Sequence, residues 1–359
     1  MASDDSAYPE LKKSHTIARQ GRPFTDRKPP AAAPVWAVID GFGQFHTLAA
    51  AIEVGAFEAL DRLGPATGEA LAGELGVSPR HLTALLEGVV ALGLLEHHHG
   101  RFLLTDAARR YLLRASPASM VDLIPVSPGP FGNWAALAST VRTGQPPNPV
   151  DDDAGFYAPL VEATFATIHR CALRADLQLR YTALAAPRVL ELGAGGAPWS
   201  AAVLGAVPGA AAVVNDLPGV VDIAARRLAE HAVADRVELR PGDYLTVDVE
   251  PAAYDLVVLG HVLRAESDER ARALVERAAA ALRPGGRVVI GDYFADRQRA
   301  HNPHALTMGV TMIANTRHGR VLRYGDVAGW MRTAGFEALR LIEPIGFQQV
   351  AVGTLSRQS

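Results

Sequence analysis

Between residues 186 and 295, short apolar runs alternate with stretches of helical spacing. Val189-Leu190-Glu191-Leu192, the run that ends at Asn215-Asp216, Val237-Glu238-Leu239, Tyr254 to Gly260 and Arg287 to Tyr293 read as five strands. Asp268 to Leu282 carries its apolar residues three and four apart and stops at Pro284-Gly285-Gly286, so it reads as a helix. This alternation predicts an α/β fold with a doubly wound parallel sheet, whose ligand lies at the carboxyl ends of the strands. The chain before residue 186 reads mainly as helix. Val35 to Leu63 is apolar on all sides, which predicts burial against a partner. Glu69 to Leu75 and Pro79 to Leu92 form a helix, turn, helix pattern, with Ser78 as N-cap and Pro79 at the first helical position. Gly93 to Leu104 reads as a short hairpin and Phe156 to Tyr181 as a long helix.

The strand Val189 to Leu192 breaks into Gly193-Ala194-Gly195-Gly196-Ala197. Closely spaced glycines let the backbone approach a ligand, and an acid closing the next strand, Asp216, can accept hydrogen bonds from ribose hydroxyls. Ala197 stands where a dinucleotide fingerprint has its third glycine, and no basic residue follows to neutralise a pyrophosphate. Glu191 inside the strand suits a cationic cofactor, so S-adenosylmethionine is expected rather than NAD. Asp243, beyond the third strand, can accept from an adenine amino group.

With these segments in order, the chain resembles the class I S-adenosylmethionine-dependent O-methyltransferases of the two-domain type, found in plant phenylpropanoid and bacterial natural-product pathways. The resemblance runs from about residue 33 to 355 and is carried further by Leu48 to Leu60, Leu71 to Val77, Leu82 to Leu95, Met308 to Asn315 and Trp330 to Phe336. It implies a Rossmann-like methyl-transfer domain preceded by a mainly α winged-helix dimerisation domain, hence a homodimer. The expected division is an arm over 1–32, the dimerisation domain over 33–150, a connecting helix over 151–185 and the cofactor-binding domain over 186–359. Cofactor contacts are expected from Glu191, Gly193, Gly195, Asp216, Leu217, Asp243, Tyr244 and His261.

Composition narrows the alternatives. A chain of 359 residues, 49% hydrophobic, has material for about two cores. Its 35 basic and 38 acidic residues give a formal charge of −3, which calls for neither nucleic acid nor an anionic membrane. A winged-helix regulator is the rival class, but Pro79 to Leu92 holds only Arg80 as a basic side chain to meet phosphates. A single cysteine, Cys171, excludes an internal disulfide framework and cysteine-rich metal sites. His97-His98-His99 at the hairpin tip cannot all face one ion from a strand, and nothing demands a metal. No apolar run reaches the roughly 20 residues of a membrane span, and the first thirty residues lack a signal-peptide core, so a cytoplasmic protein acting on a small molecule is expected.

The chemistry turns on Gly260-His261-Val262-Leu263-Arg264-Ala265-Glu266. The family resemblance places a general-base histidine at the position Arg264 occupies. Arginine stays protonated and cannot collect a proton, but it can grip an anionic oxygen. Three explanations fit: the acceptor arrives ionised, as a carboxylate, acidic enol or acidic phenol; His261, His301 or His304 is the base; or the scaffold runs another reaction, such as a pericyclic step, decarboxylation or hydroxylation. The acceptor atom, whether oxygen, nitrogen or carbon, stays open, with oxygen preferred. Phe131, Trp134, Phe156, Tyr157, Phe165 and His169 are expected to wall an aromatic pocket; the resemblance implies that Met308 and Met312 line it and clamp a flat ring, and Asn315, one turn further, could meet a polar substituent.

Overall fold

A computed structural model describes residues 32–357 except 128, 152, 296–301 and 347. The expected arm and His301 therefore lie outside the described residues. The chain divides into two compact units, residues 1–46 and 47–359. In the first, helix α1 (Ala33–Glu53) begins, and Val35, Trp36, Val38, Ile39 and Phe42 stand exposed on it.

In the second unit α1 ends before Gly55, whose φ of 79° turns the chain into α2 (Ala56–Leu63), so the apolar stretch read as continuous is two helices. Helices α3 (Gly68–Leu75) and α4 (Pro79–Ala91) and the hairpin of β1 (Leu95–His98) and β2 (Arg101–Leu104) follow, as expected. They close over Phe57, Leu60, Leu71, Leu86, Val89 and Phe102. At Gly68 an added Cβ would lie 2.3 Å from Thr83 Oγ1, which is why the α3–α4 contact needs glycine. Ser78 has the extended backbone of an N-cap, but its hydroxyl bonds His81 Nδ1 at 2.8 Å instead of a backbone N–H. Residues 106–143, for which the sequence suggested no elements, fold into α5 (Asp106–Tyr111), α6 (Leu123–Val126), α7 (Phe131–Ala135) and α8 (Leu137–Thr143).

Helix α9 (Ala154–Leu179), capped by Asp153 through Gly155 N and Phe156 N, leads into the sheet. The order is then β3 (Arg188–Leu192), α10 (Pro198–Ala206), β4 (Ala211–Asp216), α11 (Pro218–Glu230), β5 (Val237–Pro241), β6 (Tyr254–Gly260), α12 (Asp268–Ala281) and β7 (Leu282–Asp292). After β7 come β8 (Phe294–Ala295), α13 (Pro303–Asn315), β9 (Leu322–Arg323), α14 (Tyr324–Thr333), β10 (Phe336–Ile345) and β11 (Gln348–Leu355).

The main sheet has the order β10-β11-β7-β6-β3-β4-β5. Strands β3 to β7 are parallel, as expected. The sheet as a whole is mixed, because β11 runs antiparallel to both β7 and β10. Alternate side chains of the central strands enter different cores: Val189, Leu256, Val258 and Val289 pack with Trp199 and Leu204, while Leu190, Leu192, Val257, Leu259 and Ile290 pack with Leu274 and Met331. Burial on both faces is what makes these strands read as unbroken apolar runs. Strand β3 pairs with both β4 and β6, so the order reverses there and a crevice opens at its carboxyl end. Among the described residues no helix is long and apolar enough to cross a membrane, and no group of three or more side chains is arranged to hold a metal ion.

The carboxyl end of α10 is closed by a distant cation. Arg236 donates from Nη2 to Leu204 O at 2.9 Å and from Nη1 to Val207 O, Pro208 O and Ala210 O, each at 3.1 Å. Arg236→Ala should cost about 2 kcal/mol in urea unfolding, because half-buried carbonyls lose a charged donor. Arg236→Lys should recover less than half of that loss, since a point charge cannot reach several carbonyls as a planar fork does.

Candidate active site

Two turns and two acids shape the crevice beyond β3. Gly193 has φ 62°, and a Cβ there would lie 2.7 Å from Val262 Cγ2 and 3.4 Å from Tyr244 Cδ1. Gly195, at φ 57°, donates its N–H to Asp216 Oδ2 at 2.7 Å, and the Leu217 N–H meets Asp216 Oδ1 at 2.7 Å. Burial pushes the Asp216 carboxyl up, against these two backbone donors. A Cβ on Gly196 would approach Phe165 to 2.9 Å. Ala197, at the place of the missing third glycine, takes the left-handed φ of 57° nonetheless and is the N-cap of α10.

Glu191 stands behind this turn. It is fully buried, and its Oε2 accepts from Ser200 N at 2.7 Å and Ser200 Oγ at 2.6 Å, which ties β3 to the first turn of α10. Asp243 accepts from Leu245 N at 2.8 Å and from Arg270 Nη2 at 3.3 Å. The Tyr244 hydroxyl donates to Glu266, which also takes Arg270 Nε at 2.6 Å. Arg270 thus straps the loop after β5 to α12. Fully buried Asn215 secures the other side of that loop, donating to Arg240 O and Gly242 O. Neither residue stood out in the sequence, although a polar amide inside an apolar run is a signal.

At the ends of β6 and β7 lies a charged cluster. His261 has φ 62° and donates its backbone N–H to Gly291 O at 2.7 Å. Arg264 Nη1 lies 2.7 Å from His261 Nδ1 and 3.0 Å from Asp292 Oδ1, with its guanidinium 5.3 Å from the Tyr293 ring centre. Tyr293 also touches the rings of His261, at 5.0 Å between centres, and His304, edge-on at 4.8 Å. The Asp292 side chain has no exposed surface, and among the described residues its Oδ2 and Arg264 Nε have no hydrogen-bond partner. Burial works to raise the Asp292 carboxyl, but the Arg264 charge and the contact with His261 outweigh it and hold the group below its usual range. His261 is pushed down by burial and by Arg264, and His304 by the same two causes. Asp292, which the sequence reading did not single out, closes its strand as Asp216 does, a signal that could have found it.

The aromatic residues expected to form one wall fall into separate groups. Tyr157 lies near Arg264, and Phe156 packs edge-on against it at 5.5 Å. Phe165 and His169 instead stack at 5.6 Å beside His231 and Arg227, behind the glycine turn. His169 is driven down to about 4 there, by burial and by His231. Phe131 is exposed and Trp134 half-buried. Met308 is half-buried, while Met312 packs against Gly319, where a Cβ would lie 2.6 Å from Met312 Cε. Asn315 is buried and already engaged: its Oδ1 accepts from Asn133 at 3.0 Å and its Nδ2 donates to Thr311 O at 2.9 Å.

The buried acid behind the glycine turn gives a pH test. Burial outweighs the Ser200 donors and raises Glu191 from 4.5 to about 7. The folded chain therefore holds this proton more tightly than the unfolded chain, and the contribution of Glu191 to stability falls as pH rises from about 4.5 to about 7. Glu191→Gln should remove about 3 kcal/mol of that decline. Urea unfolding of both proteins across this window checks it; parallel stability profiles would refute the assignment.

Comparison with known proteins identifies both domains. Residues 166–337 match the O-methyltransferase domain, and residues 36–114 match the O-methyltransferase dimerisation domain. Acetylserotonin O-methyltransferase of Bos taurus is 30% identical over 326 residues, covering 84% of this chain and 91% of that protein. The 3-hydroxy-5-methyl-1-naphthoate 3-O-methyltransferase of Streptomyces sahachiroi is 28% identical over 316 residues, covering 84% and 88% respectively. The crystal structure of human N-acetylserotonin methyltransferase, in complex with SAM, superposes with a TM-score of 0.78 at 21% identity, over 93% of this chain and all of that one, a likeness of fold. The chain belongs to the two-domain S-adenosylmethionine-dependent O-methyltransferase family.

Proposed function

We propose that this enzyme methylates an oxygen of a small aromatic or polyketide-type natural product and that Arg264 holds the accepting oxygen. The observation that carries this reading is the fixed guanidinium at the end of β6, clamped by Asp292 and His261 beside the glycine turn. The naphthoate named for the Streptomyces relative supports an aromatic, acidic acceptor.

The residues present fit the cofactor. Side chains would clash at Gly193, and Asp216 and Asp243 bring carboxylates to the ends of β4 and β5. Gly193, Gly195, Leu217 and Tyr244 would line the cofactor, Asp216 would take the ribose hydroxyls and Asp243 the adenine amino group, while Glu191 fixes α10 beneath them. When bound, the sulfonium supplies an electrophilic methyl group. The task of the chain is then to hold the acceptor oxygen in line and exclude water, and such positioning is worth several kcal/mol of barrier. Arg264 is suited to it, since a buried guanidinium stabilises negative oxygen without titrating. Tyr157, His304 and Met308 would enclose the acceptor. The dimerisation-domain match and the exposed apolar side chains of α1 support a pair of chains as the working unit.

Mass spectrometry of the protein incubated with S-adenosylmethionine and a host metabolite extract tests the reaction. The expected result is S-adenosylhomocysteine in step with a product heavier by one methylene; substrate loss without S-adenosylhomocysteine would overturn the reading. Asp216→Asn should weaken S-adenosylmethionine binding roughly tenfold by calorimetry, through loss of a charged acceptor. Arg264→His should lower kcat at least tenfold, and preserved turnover would remove the role given to the arginine.

A further inference from the structure

We propose that His261 serves the site as a fixed hydrogen-bond donor through Nε2–H, and that Arg264 is the positioning residue that makes it one. What this means for the reaction rests on the methyl-transfer reading above; the assignment of the proton rests on geometry alone.

A guanidinium only donates, and Nη1 carries two hydrogens. One meets Asp292 Oδ1 at 3.0 Å and the other meets His261 Nδ1 at 2.7 Å. Nδ1 must then present a lone pair, which puts the single proton of the neutral ring on Nε2. The opposite tautomer would aim Nδ1–H at Asp292 Oδ1 across 3.8 Å, beyond hydrogen-bond reach, and set it against an arginine N–H. A doubly protonated ring would suffer the same clash, with a second cation 2.7 Å away. Burial, helped by the Arg264 charge, outweighs the opposing pull of Asp292 and favours the neutral ring. The ring is held in place by the left-handed backbone at His261, its N–H bond to Gly291 O and its contact with Tyr293. Among the described residues Nε2 has no hydrogen-bond partner, so its proton is available to a ligand.

A nitrogen that already carries its proton cannot take another, so His261 is not the base. With Arg264 it offers two kinds of donor, one charged and one neutral, to negative oxygen. The substrate class that suits this pair is an oxygen ionised at neutral pH, such as an acidic phenol or the enol of a vinylogous acid. Its proton is lost before it reaches the site.

The test is nitrogen NMR of the full chain labelled with ¹⁵N-histidine. His261→Asn identifies the signal, since asparagine tolerates the left-handed backbone. The expected spectrum shows pyridine-type Nδ1 and pyrrole-type Nε2, unchanged from pH 6 to 9 while Arg264 and Asp292 stay charged, with Tyr293 and His304 the other titratable groups against the ring. Pyridine-type Nε2, or an imidazolium pattern at pH 7, would overturn the proposal. In Arg264→Met the pattern should reverse, with Nδ1–H turned to Asp292, and the ring should titrate at higher pH. An unchanged tautomer there would refute the role of Arg264. The wild-type spectrum decides the donor assignment even if that variant does not fold. Absence of S-adenosylhomocysteine with the donor tautomer intact would sink the methyl-transfer reading alone.

Discussion

A carboxylate without exposed surface ends the strand beside the crevice, and the arrangement of the site follows from the need to balance it. Asp292 in a dry environment is tolerable only with a cation and hydrogen-bond donors close by, because a lone buried charge costs several kcal/mol. Arg264 Nη1 and the Tyr293 backbone N–H both reach its Oδ1. Once held there, the guanidinium meets His261 and lies over Tyr293, whose ring in turn touches His304. The electrostatics of the site are thus a chain of consequences from one acid.

The neighbouring half of the crevice is governed by space rather than charge. The turn after β3 passes Val262, Tyr244 and Phe165 so closely that Gly193 and Gly196 have no room for a side chain. Asp216 and Glu191 stabilise that turn from two sides, one through the backbone of Gly195 and Leu217, the other through Ser200. The loop after β5 is secured by Asn215 and Arg270. A tightly defined backbone surface and a preset charge therefore meet where the strand order reverses.

Much of this was legible because it is local. Strand ends, the glycine turn and the acids after the strands depend on residues a few positions apart, and both faces of the sheet are covered, so the apolar runs stand out. Contacts between distant segments were not legible. Asn315 looked like a ligand group, but its amide is taken by Asn133, 182 positions away. Phe165 and His169 looked like pocket residues, yet the turn of α9 that carries them packs beside His231 and Arg227. Glu191 was recognised as unusual in its strand; only the packing of α10 reveals that its carboxylate belongs to Ser200. The antiparallel hairpin β10–β11 escaped the sequence reading because no glycine or cofactor signal drew attention to it.

The left-handed backbone at His261 and the buried acid beside it also limit which sequences lie one mutation away. Losing Arg264 strands Asp292 without its cation, and replacing Asp292 strands the cation. An ancestor or descendant with histidine at position 264 would therefore be separated from this chain by coupled changes, through intermediates less stable than either end. Position 261 is restricted too, since a φ of 62° is adopted most readily by glycine, asparagine, aspartate and histidine, and β-branched residues are disfavoured there. The site is a neighbourhood in which residues are inherited together.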